Sequence, residues 1–156
     1  YNPLWDAQRD ENECFEEAVA LALTILRKKF EVFFAVQRAY EEVSAALAAQ
    51  KRGIVELKRF APWKQRLIPS KAKFVVFPSQ RGGYCAQAIA AGFGTQELKV
   101  PFPAEWAGAP EEDLPAISGI ETLRFCHVGR FLVTVGTRED AFAACEAAME
   151  RAREDG

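Results

Sequence analysis

Residues 74–89 read FVVFPSQRGGYCAQAI and set the fold of this chain. Phe74–Phe77 is a compact apolar run ended by a proline, and Tyr84–Ile89 is a second run of strand-forming residues. The segment between the two runs contains Gly82 and Gly83, which suit a tight turn and do not precede a helix as a phosphate-binding loop would. The pattern therefore predicts a β-hairpin.

Three further segments predict strands around this hairpin. Leu123–His127 and Arg130–Val135 form a second hairpin, and Ile54–Leu57 is a shorter candidate strand. Residues 92–120 are rich in Gly and Pro and predict a long ordered loop with a short helix near Glu111–Ile117. Loops of this length are often functional.

Long helices flank these strands. No Gly or Pro interrupts residues 11–50, where Asp10 or Asn12 can cap a helix after an opening loop at Tyr1–Asp10. Apolar residues recur there at helical spacing, namely Phe15, Val19, Ala22, Leu26, Phe30 and Phe33. This segment predicts one very long helix, or two joined near Lys29–Glu31.

The two ends of the helical regions carry capping signals. Gly53 suits the end of the long helix. Thr137 suits the start of a last helix running to about Arg153, with Asp140 in a capping-box position. We therefore predict an α+β fold over residues 1–156 as a single domain. It has a mixed sheet of about five strands, a long N-terminal helix or helix pair, and a C-terminal helix packed against the sheet.

Composition limits the classes of function. The chain has 156 residues, 49% of them hydrophobic, and a net charge of -2, which excludes a disordered chain and a global nucleic-acid footprint. No apolar run is long enough to span a membrane, so no membrane partner is expected. One local basic run is either a binding patch or a solvated face, and it consists of Lys51, Arg52, Lys58, Arg59, Lys64, Arg66, Lys71 and Lys73.

Few residues suit catalysis. His127 is the only histidine, and Cys126 beside it faces the other side of a predicted strand, so the two cannot share a metal ion. No nucleophile motif accompanies His127. Four aromatic residues could stack on a base or form core, namely Trp63, Phe102, Trp106 and Phe125.

One segment suits anion binding. The chain passes from a predicted strand into a helix N-terminus at Thr137, and Arg138 could add a bidentate phosphate contact. His127 and Arg130 on the preceding hairpin could reach the same edge. In the alternative interpretation, Thr137 is only a helix cap and Arg138 is only a surface residue.

Seven short segments along the chain carry a further signal: Asn2-Pro3-Leu4-Trp5, Ala61-Pro62-Trp63-Lys64, Gln87-Ala88, Pro103-Ala104-Glu105-Trp106, Ile117-Ser118-Gly119-Ile120, Phe125-Cys126-His127-Val128-Gly129-Arg130-Phe131 and Thr137-Arg138-Glu139-Asp140-Ala141. Together and in this order they resemble the Myg-type exonuclease family of the DHH phosphoesterase superfamily, long catalogued as metal-dependent protein hydrolases. Ala61 stands where the family has Cys, and Asp140 where it has Gly. Val133-Thr134-Val135 replaces a Gly-rich turn, which makes close approach to phosphate harder there.

The resemblance implies a two-lobed enzyme. Its N-terminal lobe would bind divalent metal ions, manganese by expectation, through His and Asp motifs including the DHH triplet. This chain has no such triplet, so it corresponds to the C-terminal, substrate-side lobe with the metal-binding lobe absent. Its first residue is Tyr1 and its only methionine is Met149, so we expect upstream residues to have been removed.

We therefore expect the substrate-binding lobe of a metal-dependent phosphodiesterase, a 3′–5′ exonuclease on RNA or short oligonucleotides. The residues expected to contact phosphate or sugar are Lys64, His127, Arg130, Thr137 and Arg138. The chain alone should be inactive, with no catalytic residue, metal ligand or cofactor of its own. An intracellular location is expected without a resolved compartment. Two alternatives remain, a non-enzymatic interaction or homodimerisation module built on residues 11–50, and a lobe of a degenerate phosphoesterase.

Overall fold

The computed structural model describes Trp5 and residues 10–156. The predicted opening loop therefore lies outside the described residues except for Trp5 and Asp10, as does the Asn2-Pro3-Leu4 part of the first similar segment. The chain divides into two units, one reaching to Arg38 and the other running from Ala39 to Gly156.

The first helix, α1, is a single helix over Glu11–Ala48, so the alternative of two joined helices is wrong. Asp10 caps it, because its Oδ1 accepts a hydrogen bond from the backbone N–H of Asn12 at 3.2 Å. The predicted role of Gly53 as its terminal glycine is also wrong. Gly53 instead has a φ of 83° in a tight turn that begins after the helix has ended and leads into the sheet. Among the described helices, none is long and apolar enough to cross a bilayer.

A sheet of five strands forms the centre of the Ala39–Gly156 unit. The strands are β1 (Ile54–Glu56), β2 (Phe74–Pro78), β3 (Tyr84–Ala88), β4 (Phe125–Cys126) and β5 (Leu132–Val135). Their order is β1-β2-β3-β5-β4. β1 runs parallel to β2 and the other neighbours are antiparallel, which confirms the predicted mixed sheet and α+β class.

One face of the sheet packs on the last helix, α4 (Arg138–Asp155). Its small residues Ala141, Ala144 and Ala148 are buried in the same cluster as Phe74 of β2 and Val133 of β5. Small side chains let the helix lie close to the sheet, so the interior fills at near-crystalline density. The predicted C-terminal helix and its packing are confirmed.

The loop between β3 and β4 contributes to the same cluster. It contains a 3₁₀ turn at Ala104–Trp106 and a short helix, α3, at Leu114–Ser118, close to the predicted helix. Phe102 and Trp106 are buried in the core, with ring centroids 6.2 Å apart. Both aromatic residues are therefore core, while Phe125 stays 44% exposed.

The opposite face of the sheet is covered by a second cluster. Val43 from the end of α1 and Trp63 and Leu67 from around α2 (Lys64–Leu67) pack there with Val75 and Phe77 of β2. Trp63 is therefore core as well. Because side chains alternate along β2 and β3, Gln87 of β3, paired with Val75, lies on this second face.

Thr137 caps α4 as predicted, and its Oγ1 accepts the Asp140 N–H at 3.2 Å. The reciprocal half of the predicted capping box is wrong. The Asp140 carboxylate accepts the N–H of Thr122 at 3.1 Å and the Thr122 hydroxyl, instead of reaching back to Thr137. Aspartate is shorter than the usual Glu or Gln, and Thr122 lies close enough to donate to it.

Candidate functional site

A cavity of about 660 Å³ opens on the second face of the sheet, at the end of β3. Its wall residues come from three segments, the start of α2, the end of β3 with the loop that follows, and the turn between β4 and β5. They are Trp63, Lys64, Gln65, Ile68, Gln87, Ala88, Ala90, Gly92, Phe93, Gly94, Thr95, Gln96, Leu98, His127, Gly129 and Phe131. A volume of this size falls within the range of small-molecule sites.

The polar lining of the cavity is basic and amide-rich. Among the described residues that line it, Lys64 is the only alkyl ammonium group and no carboxylate occurs. The amides of Gln65, Gln87 and Gln96 supply both donors and acceptors. Such a lining favours an anionic ligand that also carries hydrogen-bonding edges.

Aromatic side chains form another part of the wall. The His127 and Phe131 rings lie 4.5 Å apart between centroids, and both line the cavity. Phe93, on the loop after β3, lines it as well and is 58% exposed. Exposed or half-exposed rings beside polar groups can stack on a flat ligand such as a nucleobase.

His127 is held in one neutral tautomer. Its Nδ1 accepts the backbone N–H of Gly129 at 2.8 Å, so Nδ1 carries the lone pair and Nε2 carries the proton. The imidazole therefore offers an N–H donor at Nε2.

Lys99 joins two walls of the cavity. Its ammonium donates to the backbone carbonyls of Leu67, Ser70 and Ala72 at 3.2, 2.6 and 2.8 Å. These carbonyls lie at the end of α2 and just after it, whereas Lys99 itself follows cavity residue Leu98. Burial lowers the pKa of Lys99. The three contacts fix the position of one cavity wall against another.

The structure brings together two of the five residues expected to contact substrate. Lys64 and His127 line the cavity from different segments. They are far apart in the sequence, and the pairing of β4 with β5 beside β3 brings the His127 turn to the cavity.

Arg130 lies in the same turn as His127 but makes a different contact. Its backbone has a φ of 63°, and its Nε donates to the carbonyl of Phe102 at 2.6 Å. Phe102 N–H donates in return to the Arg130 carbonyl at 3.0 Å. Arg130 thus ties the turn to the loop at Phe102, and it is not among the lining residues of the cavity.

Thr137 and Arg138 lie at the other end of β5 from His127 and Arg130. A strand advances about 3.3 Å per residue, so the two ends of this segment are roughly 20 Å apart. Arg138 donates through Nε to both carboxylate oxygens of Glu56, at 2.8 and 3.0 Å. The pKa of Arg138 is raised by this hydrogen-bonded partner. The structure therefore does not bring these two residues to the edge that His127 occupies.

The lining also includes residues that sequence reasoning did not select. Phe93, Thr95 and Gln96 belong to the loop predicted to be functional in general terms, and Gln87 belongs to a similar family segment. Lys99 belongs to the same loop and lies next to the lining residue Leu98. Closely spaced Gly92 and Gly94 were the available signal, because glycines permit a backbone to turn around a ligand.

The described residues do not fit a hydrolytic metal centre. Within Trp5 and residues 10–156, no three His, Cys, Asp or Glu side chains are grouped so that they could hold a metal ion. The four cysteines are free thiols.

The fold and the cavity define an α+β protein whose described cavity lining has no carboxylate and suits an anionic, flat ligand. The family model described as an uncharacterised protein family, the MYG1 exonucleases (UPF0160), matches residues 1–149. The chain belongs to this family of nucleases, and the resemblance stated from its segments is confirmed.

Relatives in bacteria and eukaryotes support this membership. The human MYG1 exonuclease is 27% identical over 164 aligned positions, which cover 95% of this chain and 44% of the human protein. A MYG1 protein of Chlamydia pneumoniae is 27% identical over 172 aligned positions, covering 99% of this chain and 53% of that protein. A MYG1 protein of Dictyostelium discoideum is 35% identical over 96 positions, covering 56% of this chain and 29% of that protein.

The chain spans about half the length, or less, of the curated relatives it matches. No solved structure matches it.

Proposed function

We propose that this chain is the substrate-side lobe of a metal-dependent phosphodiesterase that removes nucleotides from the 3′ end of RNA or short oligonucleotides. The observation that carries the proposal is the cavity beside β3, with Lys64, its amides and its aromatic rings. The human relative, which is named an exonuclease, aligns with 95% of this chain, which supports the nucleic-acid part of the proposal.

Each part of the cavity suits one part of a nucleotide. A base would stack against Phe131 or Phe93, with stacking contributing about 1–3 kcal/mol. The glutamine amides would form hydrogen bonds with the edges of the base or with the ribose. Lys64 would bind a phosphate as a point charge, and His127 would donate from Nε2. The lack of a carboxylate among the described lining residues avoids repulsion of the phosphate.

The roles of the other expected residues follow from their contacts. Arg130 would position the His127 turn through Phe102. Thr137 and Arg138 would contact phosphate only at the C-terminal end of β5, away from the cavity. Arg138 would first have to break its ion pair with Glu56. In this proposal the divalent ion, manganese by expectation, belongs to an N-terminal metal-binding lobe, where it would activate water. The residues described bind and orient substrate.

The test compares two exposed lysines of the same basic run. Binding of a labelled short RNA to the chain is measured by fluorescence anisotropy at low salt for Lys64→Ala and for Lys71→Ala. Lys71 carries the same charge and does not line the cavity. Losing a charge-assisted contact should weaken binding about tenfold for Lys64→Ala and less than about twofold for Lys71→Ala.

Two results would overturn this proposal. Equal losses for the two lysines would show that charge alone, outside the cavity, binds the RNA. In a second arm, the pure chain is incubated with manganese and the same RNA, and no turnover is expected. Turnover that persists through repeated purification would contradict the assignment of the metal site to another lobe.

A further inference from the structure

The first unit of the chain carries an exposed apolar surface that the proposed function does not use. We define the N-terminal stripe as Phe15, Val19, Ala22, Leu26, Phe30 and Phe33 of α1. Phe15 is 69% exposed, Phe30 is 59% exposed and Leu26 is 50% exposed. A contiguous exposed apolar surface on a water-soluble helix marks an interaction site.

The spacing of the stripe fits helix pairing. Its first four members lie at intervals of four, three and four residues, as at the seam of a coiled coil. At 100° per residue they fall within a narrow face, so they can pack together into a facing helix. Thr24 lies on the opposite face of the helix.

Charged residues flank this seam on both sides. On each side the charge is negative toward the N-terminus of the helix and positive toward its C-terminus. On one flank, Glu16 comes before the centre of the seam and Arg27 after it. On the other flank, Glu11 comes before the centre and Lys29 after it. Each flank of the seam therefore carries an acid toward the N-terminus and a base toward the C-terminus.

This arrangement complements itself only when the helix meets a second copy in the antiparallel direction. We propose that two copies of this chain associate through an antiparallel pairing of α1 centred near Leu21. In an antiparallel pair, each flank of the seam faces the same flank of the second copy. Glu16 therefore lies beside Arg27 of the second copy, and Glu11 lies beside Lys29 of the second copy. A parallel pairing would place acid beside acid and base beside base.

The apolar contacts agree with the same centre. With α1 paired about a point near Leu21, Phe15 packs on Leu26 of the second copy and Val19 packs on Ala22. A phenylalanine can bury about 150–250 Å². The exposed stripes of two copies therefore bury on the order of 1,000 Å², which is about the area that a specific interface needs.

The first experiment measures the dimer dissociation constant of the chain by sedimentation velocity over a range of concentrations. Leu26→Glu places a charge in the seam, and Thr24→Glu places the same charge on the opposite face as a matched control. We expect Leu26→Glu to raise the dissociation constant at least about tenfold and Thr24→Glu to change it less than about twofold. Circular dichroism checks that both variants keep their helix content.

The second experiment tests the orientation. Glu16→Cys and Arg27→Cys chains are oxidised separately and as a mixture, with the unaltered chain as the background for its own thiols. Antiparallel pairing predicts a disulfide-linked dimer mainly in the mixture. A disulfide-linked dimer formed mainly in a mixture of Glu11→Cys and Glu16→Cys chains, two positions that only parallel pairing brings together, would overturn the proposal.

A charge exchange provides an independent check. Glu11→Lys with Glu16→Lys, and Arg27→Glu with Lys29→Glu, should each weaken self-association, and mixing the two variants should restore it. An unaltered chain that stays monomeric at tens of micromolar would overturn the proposal, and would assign the stripe to another partner such as a further lobe.

Discussion

At the scale of single residues, the burial of Cys126 makes the stability of the fold depend on pH. Burial raises the pKa of its thiol from 9.0 to about 11, while the charge of Arg130 opposes this shift. Below pH 9 both the folded and the unfolded state hold the proton. Between pH 9 and about 11 the unfolded state releases it first, so this thiol lowers the stability of the fold as pH rises.

The prediction compares the unaltered chain with Cys126→Ala. Between about pH 7 and about pH 10 the unaltered chain should lose roughly 1 kcal/mol more unfolding free energy than the variant, because only it carries this thiol. Urea unfolding at both pH values measures the difference. Parallel losses in both proteins would show that Cys126 ionises as easily in the folded chain as in the unfolded one.

Single residues also show what the sequence could predict about the site. Lys64 and His127 belong to similar family segments, and both line the cavity. The contacts of Arg138 could not be predicted, because its partner Glu56 is 82 positions away in the sequence. The contacts of Lys99 could not be predicted for the same reason, since its carbonyl partners lie about 30 positions earlier, at the end of α2 and just after it, and a lysine in a loop has no distinctive local signal.

At the scale of elements, the hairpin of β2 and β3 depends on one glycine more than on its neighbour. Both Gly82 and Gly83 have a positive φ, of 91° and 73°. A Cβ added at Gly83 would lie 2.2 Å from the carbonyl oxygen of Val135, whereas one at Gly82 would meet nothing within 4 Å. The turn therefore packs against the end of β5 at Gly83 alone.

We expect Gly83→Ala to lower the free energy of unfolding clearly more than Gly82→Ala. The control substitution introduces only the backbone strain of a positive φ, about 1 kcal/mol, whereas Gly83→Ala also forces β3 and β5 apart. The total loss for Gly83→Ala should reach about 2–4 kcal/mol. Thermal and urea unfolding of the two variants measure it, and equal losses would mean that β5 shifts freely away from the turn.

The elements themselves were largely predictable where the pattern was local. Runs such as Phe74–Phe77 and the uninterrupted residues 11–48 determine a strand and a helix by their own periodicity. The predicted strands at Leu123–His127 and Arg130–Val135 shorten to Phe125–Cys126 and Leu132–Val135, because the turn between them is fixed by the Arg130 contact to Phe102. A long-range contact of this kind has no signal in the local sequence.

At the scale of the whole chain, the two units differ in where their stability comes from. Among the described residues, every buried member of the two hydrophobic clusters is Val43 or a later residue. The sheet unit therefore has its own core. The stretch of α1 before Ala39 adds no member to either cluster. A helix that places no side chain in a core cluster gains little stability from packing, so we expect association to stabilise this stretch.

Hydrogen exchange measured by mass spectrometry on the full chain can test this difference directly. Below the dimer dissociation constant, amides of residues 19–34 should exchange fast, and well above it their protection should rise in proportion to the dimer fraction. Amides of β2 serve as the internal control, because their protection should not change with concentration. Leu26→Glu should remove the concentration dependence in the helix and leave β2 unchanged. Strong protection of residues 19–34 at every concentration would instead mean that the helix is stable without a second copy, and antiparallel association would no longer be needed to explain its exposed stripe.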